Sequence, residues 1–182
     1  MDKKQNLVWI DLEMTGLRPE KDVILEYAMI ITDGSLNILY TGPHLVIHYP
    51  ATATALVGMD AWVREHHSKG LLQAVEQSTT TIEQAQEQII QVLQEYCVAG
   101  KSPLCGNSVW QDAIFMRAYM PRVMDYLHYR IIDVSSVKEL VRRWYSNEQG
   151  AYFVKKDTHR ALTDIQESIE ELKHYQRLFF RA

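Results

Sequence analysis

The chain alternates between segments whose apolar residues run together and segments where they recur at helical spacing. Leu7-Val8-Trp9-Ile10 is a continuous apolar run, which predicts a strand buried on both faces. Residues 23–32, from Val23 through Ile30-Ile31, predict a second strand. Asp33-Gly34 is a hairpin signal, and residues 36–40 and 44–48 continue as a third strand. Three strands on short turns imply an antiparallel meander. Residues 51–82 carry a mixed pattern, with a short helix and loop expected over 59–67.

Helical spacing dominates from there. Thr81 is a natural cap for a helix with Ala85, Ile89, Val92, Leu93 and Tyr96 on its inner side, and Gly100 is its expected stop. Residues 103–106 form a short strand. Asn107-Ser108 can cap a helix over 110–119, whose apolar stripe includes Ile114, Phe115 and Ala118 and which Pro121 ends. Residues 129–134 predict another strand, after which Ser135-Ser136 cap a helix through Trp144. A polar loop over 146–157 leads to a long helix from about Thr158 to Phe180. Ala161, Leu162, Ile165, Ile169, Leu172 and Tyr175 form its buried side. The order implies an α/β fold with one mixed five-stranded sheet: three antiparallel strands, then two more, flanked by helices. No repeat or linker divides it, so a single domain over 1–182 is expected.

Composition narrows the function classes. No apolar run approaches the roughly 18 residues of a membrane span, so no membrane association is expected. Cys97 and Cys105 have no metal or redox spacing, which fits reduced thiols in a cytoplasmic protein. The formal charge of −4 argues against a long basic track for nucleic acid. Any such substrate is expected to be held through a few phosphates.

Candidate chemistry interrupts the hydrophobic pattern at the first strand. Asp11 and Glu13 appear where the apolar run should continue, and i, i+2 spacing points both to one face. Two anions there repel each other, and a hard divalent cation relieves the repulsion. Taken alone, the pair also fits two solvated acids. Asp112 lies in the first turn of its helix, where the dipole favours an acid. Asp164 sits at the margin of the last helix's buried stripe. His159 lies five residues earlier. On a regular helix that is a rotation of about 140°, so it shares a pocket with Asp164 only from outside the regular turns.

These motifs resemble the DEDD 3′–5′ exonucleases with a histidine-type third motif, and within them the oligoribonuclease family. The matching segments are Trp9-Ile10-Asp11-Leu12-Glu13-Met14-Thr15-Gly16-Leu17, Cys105-Gly106-Asn107-Ser108 with Gln111-Asp112, His128-Tyr129-Arg130 with Asp133-Val134-Ser135, and Thr158-His159-Arg160-Ala161-Leu162 with Asp164-Ile165. The likeness runs from Leu7 to near Phe180. It departs at Trp110, bulkier than the position calls for, and at Lys156-Asp157, where the pattern has a glycine before Thr-His.

The resemblance implies a ribonuclease H-like fold and hydrolysis of very short RNA, especially dinucleotides, to 5′-mononucleotides. It implies two divalent ions, Mg²⁺ or Mn²⁺, on Asp11, Glu13 and Asp164, with Asp112 supporting the cluster and His159 as general base. For the substrate it implies Leu17 as a wedge between bases and Trp62 as a stacking ring. His67, Ser108, Arg130, Ser135 and Ser136 would surround a 5′ phosphate. Tyr129 and Arg130 would reach into the other subunit's site, so a homodimer is expected. Asp133 is read as structural. A general single-strand DNA or RNA exonuclease or proofreading subunit of the same fold is the alternative. An RNA-binding module without catalysis fits less well, because all four acids and His159 are present.

Overall fold

The computed structural model describes residues 2–59, 70–148, 150–154 and 161–180. Its frame is a five-stranded sheet in the order β3-β2-β1-β4-β5, formed by β1 (Leu7–Met14), β2 (Ile24–Thr32), β3 (Ile38–Val46), β4 (Pro103–Gly106) and β5 (His128–Asp133). The first three pair antiparallel as a meander, and β4 and β5 add in parallel. This is the mixed sheet expected from the strand order.

The α-helices among the described residues are α1 (Thr54–Val57), α2 (Leu71–Gln77), α3 (Ile82–Tyr96), α4 (Trp110–Tyr119), α5 (Pro121–Tyr126), α6 (Val134–Trp144) and α7 (Ala161–Phe179). Helices α3–α5 cover one face of the sheet and α6–α7 the other, while α1 and α2 pack on Leu25 of β2 in a third cluster. Val8, Ile10, Leu12, Met29 and Ile31 pack against Ala85, Ile89 and Leu93 of α3, Phe115 and Met116 of α4, and Val123 of α5. Trp9, Ala28 and Ile30 face the other way, toward Val141 of α6 and Ala161, Ile165, Ile169 and Tyr175 of α7. All nine residues of β2 are buried, which explains why it is apolar apart from Glu26 and the terminal Thr32. No helix among the described residues is long and apolar enough to cross a membrane.

Several local expectations are corrected. Thr81 does cap α3, reciprocally with Gln84 as a capping box, but the helix ends at Tyr96. Gly100 lies in the turn beyond it, at φ 70°. Asn107 and Ser108 do not cap α4: its N-cap is Val109, with no side-chain cap bond. The inner side of α4 is Asp112, Ala113, Phe115 and Met116, whereas Ile114 and Ala118 face solvent. Pro121 ends α4 by opening α5, where its missing N–H costs nothing. The cap of α6 is Asp133, whose carboxylate accepts the Ser135 N–H at 2.9 Å. Ser135 and Ser136 occupy the first turn instead. The expected helix over 59–67 and the start of the last helix near Thr158 fall outside the described residues.

Candidate active site

Asp11 and Glu13 close the C-terminal end of β1 on the face that packs against α7. Asp164 enters that face from α7, one position before the buried Ile165. Each of the three offers a carboxylate oxygen, and these oxygens all lie within 4.8 Å of one another. The side chains are half-buried. Mutual repulsion among three carboxylates at that range is relieved by a cation, and an all-oxygen donor set suits a hard divalent ion. The donor chemistry therefore fits a metal site.

Asp112 approaches from the opposite layer. It is buried, and its Oδ1 accepts the Leu12 N–H at 3.0 Å. The acid thus grips the strand between the two carboxylates of the cluster without joining the three-oxygen group. Burial, with a smaller push from the Glu13 and Asp133 charges, drives its carboxyl up to about 8. Glu26, which the sequence did not single out, lies opposite Glu13 in the β1–β2 register and is 2% exposed. Its Oε1 is 2.5 Å from His44 Nε2 on β3.

Leu17 stands 70% exposed on the loop after β1. That loop is held by Asp22, which accepts from Thr15 Oγ1 at 3.2 Å and from the Arg18 N–H at 2.9 Å. Gly16 makes the turn affordable: a Cβ there would sit 2.5 Å from Asp22 Oδ2. Helix α4 braces the loop from below, with Gln111 Nε2 donating to the Leu17 carbonyl at 2.9 Å and the Tyr119 hydroxyl to the Pro19 and Asp22 carbonyls.

Ser108, Ser135 and Ser136 meet in a second depression of about 440 Å³, lined also by Trp110, Asp133, Glu139 and Leu140. Ser108 Oγ and Ser135 Oγ are 3.2 Å apart. Ser108 adopts φ 50°, a left-handed conformation rare for a residue with a Cβ and found at functional sites. In that conformation its N–H is shared by Asp133 Oδ1 and Ser135 Oγ, both at 2.9 Å. Trp110 is 53% exposed on the rim and does not fill the depression. Tyr129 and Arg130 do not join this pocket. They are exposed on the edge strand β5, with the Arg130 guanidinium 4.8 Å from the Tyr129 ring centre. His159, Trp62 and His67 lie outside the described residues.

Comparison with known proteins places the chain in a class. A family model described as Exonuclease (RNase_T) matches residues 8–172. Exonuclease I of Methylocaldum szegediense shares the fold, with a TM-score of 0.68 at 16% identity over 96% of this chain. The zinc-bound Escherichia coli exonuclease I complex with single-stranded DNA gives 0.67 at 14% identity over 97%. This chain spans only 41% of each of those larger proteins. The full-length relatives are more specific. Oligoribonuclease of Ruthia magnifica is 51% identical, with 100% of both chains aligned. Human mitochondrial oligoribonuclease is 50% identical over 97% of this chain and 74% of its own length. The fold and the matched family model are those of an exonuclease, and within that class the chain belongs to the oligoribonuclease family.

Proposed function

We infer that this protein is a 3′-to-5′ exoribonuclease acting on very short RNA, with dinucleotides as preferred substrate and 5′-mononucleotides as product. The observation that carries the chemistry is the convergence of Asp11, Glu13 and Asp164 oxygens within 4.8 Å. These three residues would hold divalent cations, Mg²⁺ or Mn²⁺, with Asp112 fixing the strand beneath them. Cations bound there offset the charge of the scissile phosphate and make water a better nucleophile at neutral pH. His159 takes a proton from the attacking water, a task suited to the histidine side chain, whose unperturbed pKa lies near neutrality.

Length preference is the work of the flanking residues. Leu17 wedges between bases, and Trp62 stacks on one, a contact worth about 1–3 kcal/mol that tolerates any sequence. Ser108, Ser135 and Ser136, with His67, receive the 5′ phosphate. Beyond the Ser135 N–H, which Asp133 takes, the positive end of the α6 dipole supports an anion there. The partner subunit's Tyr129 and Arg130 complete the pocket, so the active species is a homodimer. Their exposure on an edge strand supports that reading. The two cysteines are free and buried, which suits the reducing cytoplasm.

One assay tests the proposal. With Mn²⁺ supplied, a labelled 5′-phosphorylated RNA dinucleotide is compared with 20-nucleotide RNA and DNA. The expected result is fast conversion of the dinucleotide and slow attack on both longer strands. Faster digestion of the long DNA would instead support a general single-strand exonuclease.

A further inference from the structure

One hydrogen-bonded path joins the serine pocket to the helix turn that carries Asp164. Asn107 is its junction. Its Nδ2 donates to Ser168 Oγ at 2.7 Å and to Glu171 Oε2 at 3.2 Å, while its Oδ1 accepts from Ser135 Oγ at 3.1 Å. Glu171 is fully buried and also takes the Tyr175 hydroxyl at 2.9 Å and the Lys138 ammonium at 3.1 Å. A carboxylate offers only acceptors to the amide, so Glu171 fixes which end of Asn107 faces α7. Ser168 Oγ passes the connection on, donating to the Asp164 carbonyl at 2.8 Å. At the other end, Ser135 Oγ accepts the Ser108 N–H. Three separate segments, the β4–α4 corner, the start of α6 and the first turns of α7, are thereby tied at one half-buried amide.

We propose that Asn107 and Ser168 are positioning residues that set the spacing between the 5′-phosphate pocket and the acidic cluster, and so act as a ruler for dinucleotide length. This rests on the pocket assignment made above. A substrate held at both ends reacts only if the anchored phosphate and the scissile phosphate fit the distance the protein imposes. Small misplacements are costly: an error of about 1 Å can lose on the order of a hundredfold in rate. Longer RNA, whose 5′ phosphate lies beyond the pocket, is not measured by this ruler. Loosening the junction should therefore hurt the dinucleotide in kcat and leave longer RNA less affected.

Ser168→Ala is the principal test, because alanine is favoured in a helix and removes only the hydroxyl link. Ser168→Thr, which restores a hydroxyl, is the rescue variant. Thermal unfolding and Mn²⁺ titration calorimetry establish that each variant folds and binds metal. Steady-state rates are then measured on 5′-phosphorylated and unphosphorylated dinucleotides and a phosphorylated pentanucleotide. For Ser168→Ala we expect kcat on the phosphorylated dinucleotide to fall about tenfold with little change in KM. Its kcat advantage over both other substrates should shrink, and Ser168→Thr should restore it. Equal loss on all three substrates, or no loss on any, overturns the ruler. If the unaltered protein itself does not favour the 5′-phosphorylated dinucleotide, the pocket assignment fails first, and the ruler with it.

Discussion

At the scale of single residues, Asp112 has the most distinctive electrostatics. Burial raises its carboxyl to about 8 from an ordinary 3.8, so the folded state keeps its proton over a range where the unfolded chain releases it. Between those values the native protein binds more protons, and rising pH favours unfolding. Stability from this group is thus fully present below about pH 4 and lost as pH climbs through 8. Metal-free protein should melt lower at pH 8 than at pH 5 by at least about 4 °C. Asp112→Asn keeps an acceptor for the Leu12 N–H but carries no titrating proton, so much of that pH dependence should vanish in melts of the chelator-treated variant. An unchanged dependence would remove Asp112 as its source. The cluster itself behaves differently. Its acids repel one another without a cation, so Asp11→Ala or Asp164→Ala should cost little stability. Either should lower kcat more than about a hundredfold, by analogy with losses at metal sites. Turnover close to that of the unaltered protein would sink the metal-ligand assignment.

At the scale of elements, the loop after β1 shows how backbone geometry serves a largely exposed side chain. Leu17 is presented by a turn that Asp22 closes and α4 supports, and Gly16 is there because Asp22 occupies the space of a Cβ. Gly16→Ala should displace the Asp22 carboxylate, cost about 1–2 kcal/mol of stability and raise KM for the dinucleotide more than it lowers kcat. Melting curves and initial rates check both, and a variant indistinguishable in KM would count against Leu17 as a wedge. The same loop marks the boundary of what was legible beforehand. Strands β1 and β2 were readable because burial on both faces leaves runs that are apolar almost throughout. The paired carboxylates were readable because they break it. The props were not: Gln111, Tyr119 and Asp22 act mainly through main-chain carbonyls and N–H groups, which leave no pattern in side-chain polarity. Caps went astray for a related reason. Asn107 looked like a helix cap because its side chain suits one, yet it spends its amide on Ser168, Glu171 and Ser135 from distant segments. Tertiary partners outcompeted the local one, and spacing along the chain cannot reveal that.

At the scale of the whole molecule, the sheet order places the acidic cluster on central β1 and leaves β5 as an edge. Tyr129 and Arg130 stand exposed on that edge, away from the serine pocket lining. If Arg130 serves the site of another subunit, each site is built from two chains, and catalysis can be restored by complementation. Arg130→Ala protein retains its own carboxylates and lacks the arginine it lends. Asp11→Ala protein lacks a carboxylate and still lends an intact arginine. Neither homodimer has a complete site. In a mixed dimer, the site carried by the Arg130→Ala chain receives the intact arginine and is whole, while the other site lacks both groups. Equal mixing with random exchange makes about half the dimers mixed, each with one good site of two, so activity should recover to about a quarter of the unaltered level. Arginine can engage two oxygens of one phosphate at once, so its loss should weaken the dinucleotide far more than a long RNA. Recovery should accordingly be measured with the phosphorylated dinucleotide, after subunit exchange has been verified by mass. Activity that stays at the level of the separate variants would mean that Arg130 does not act across a subunit boundary.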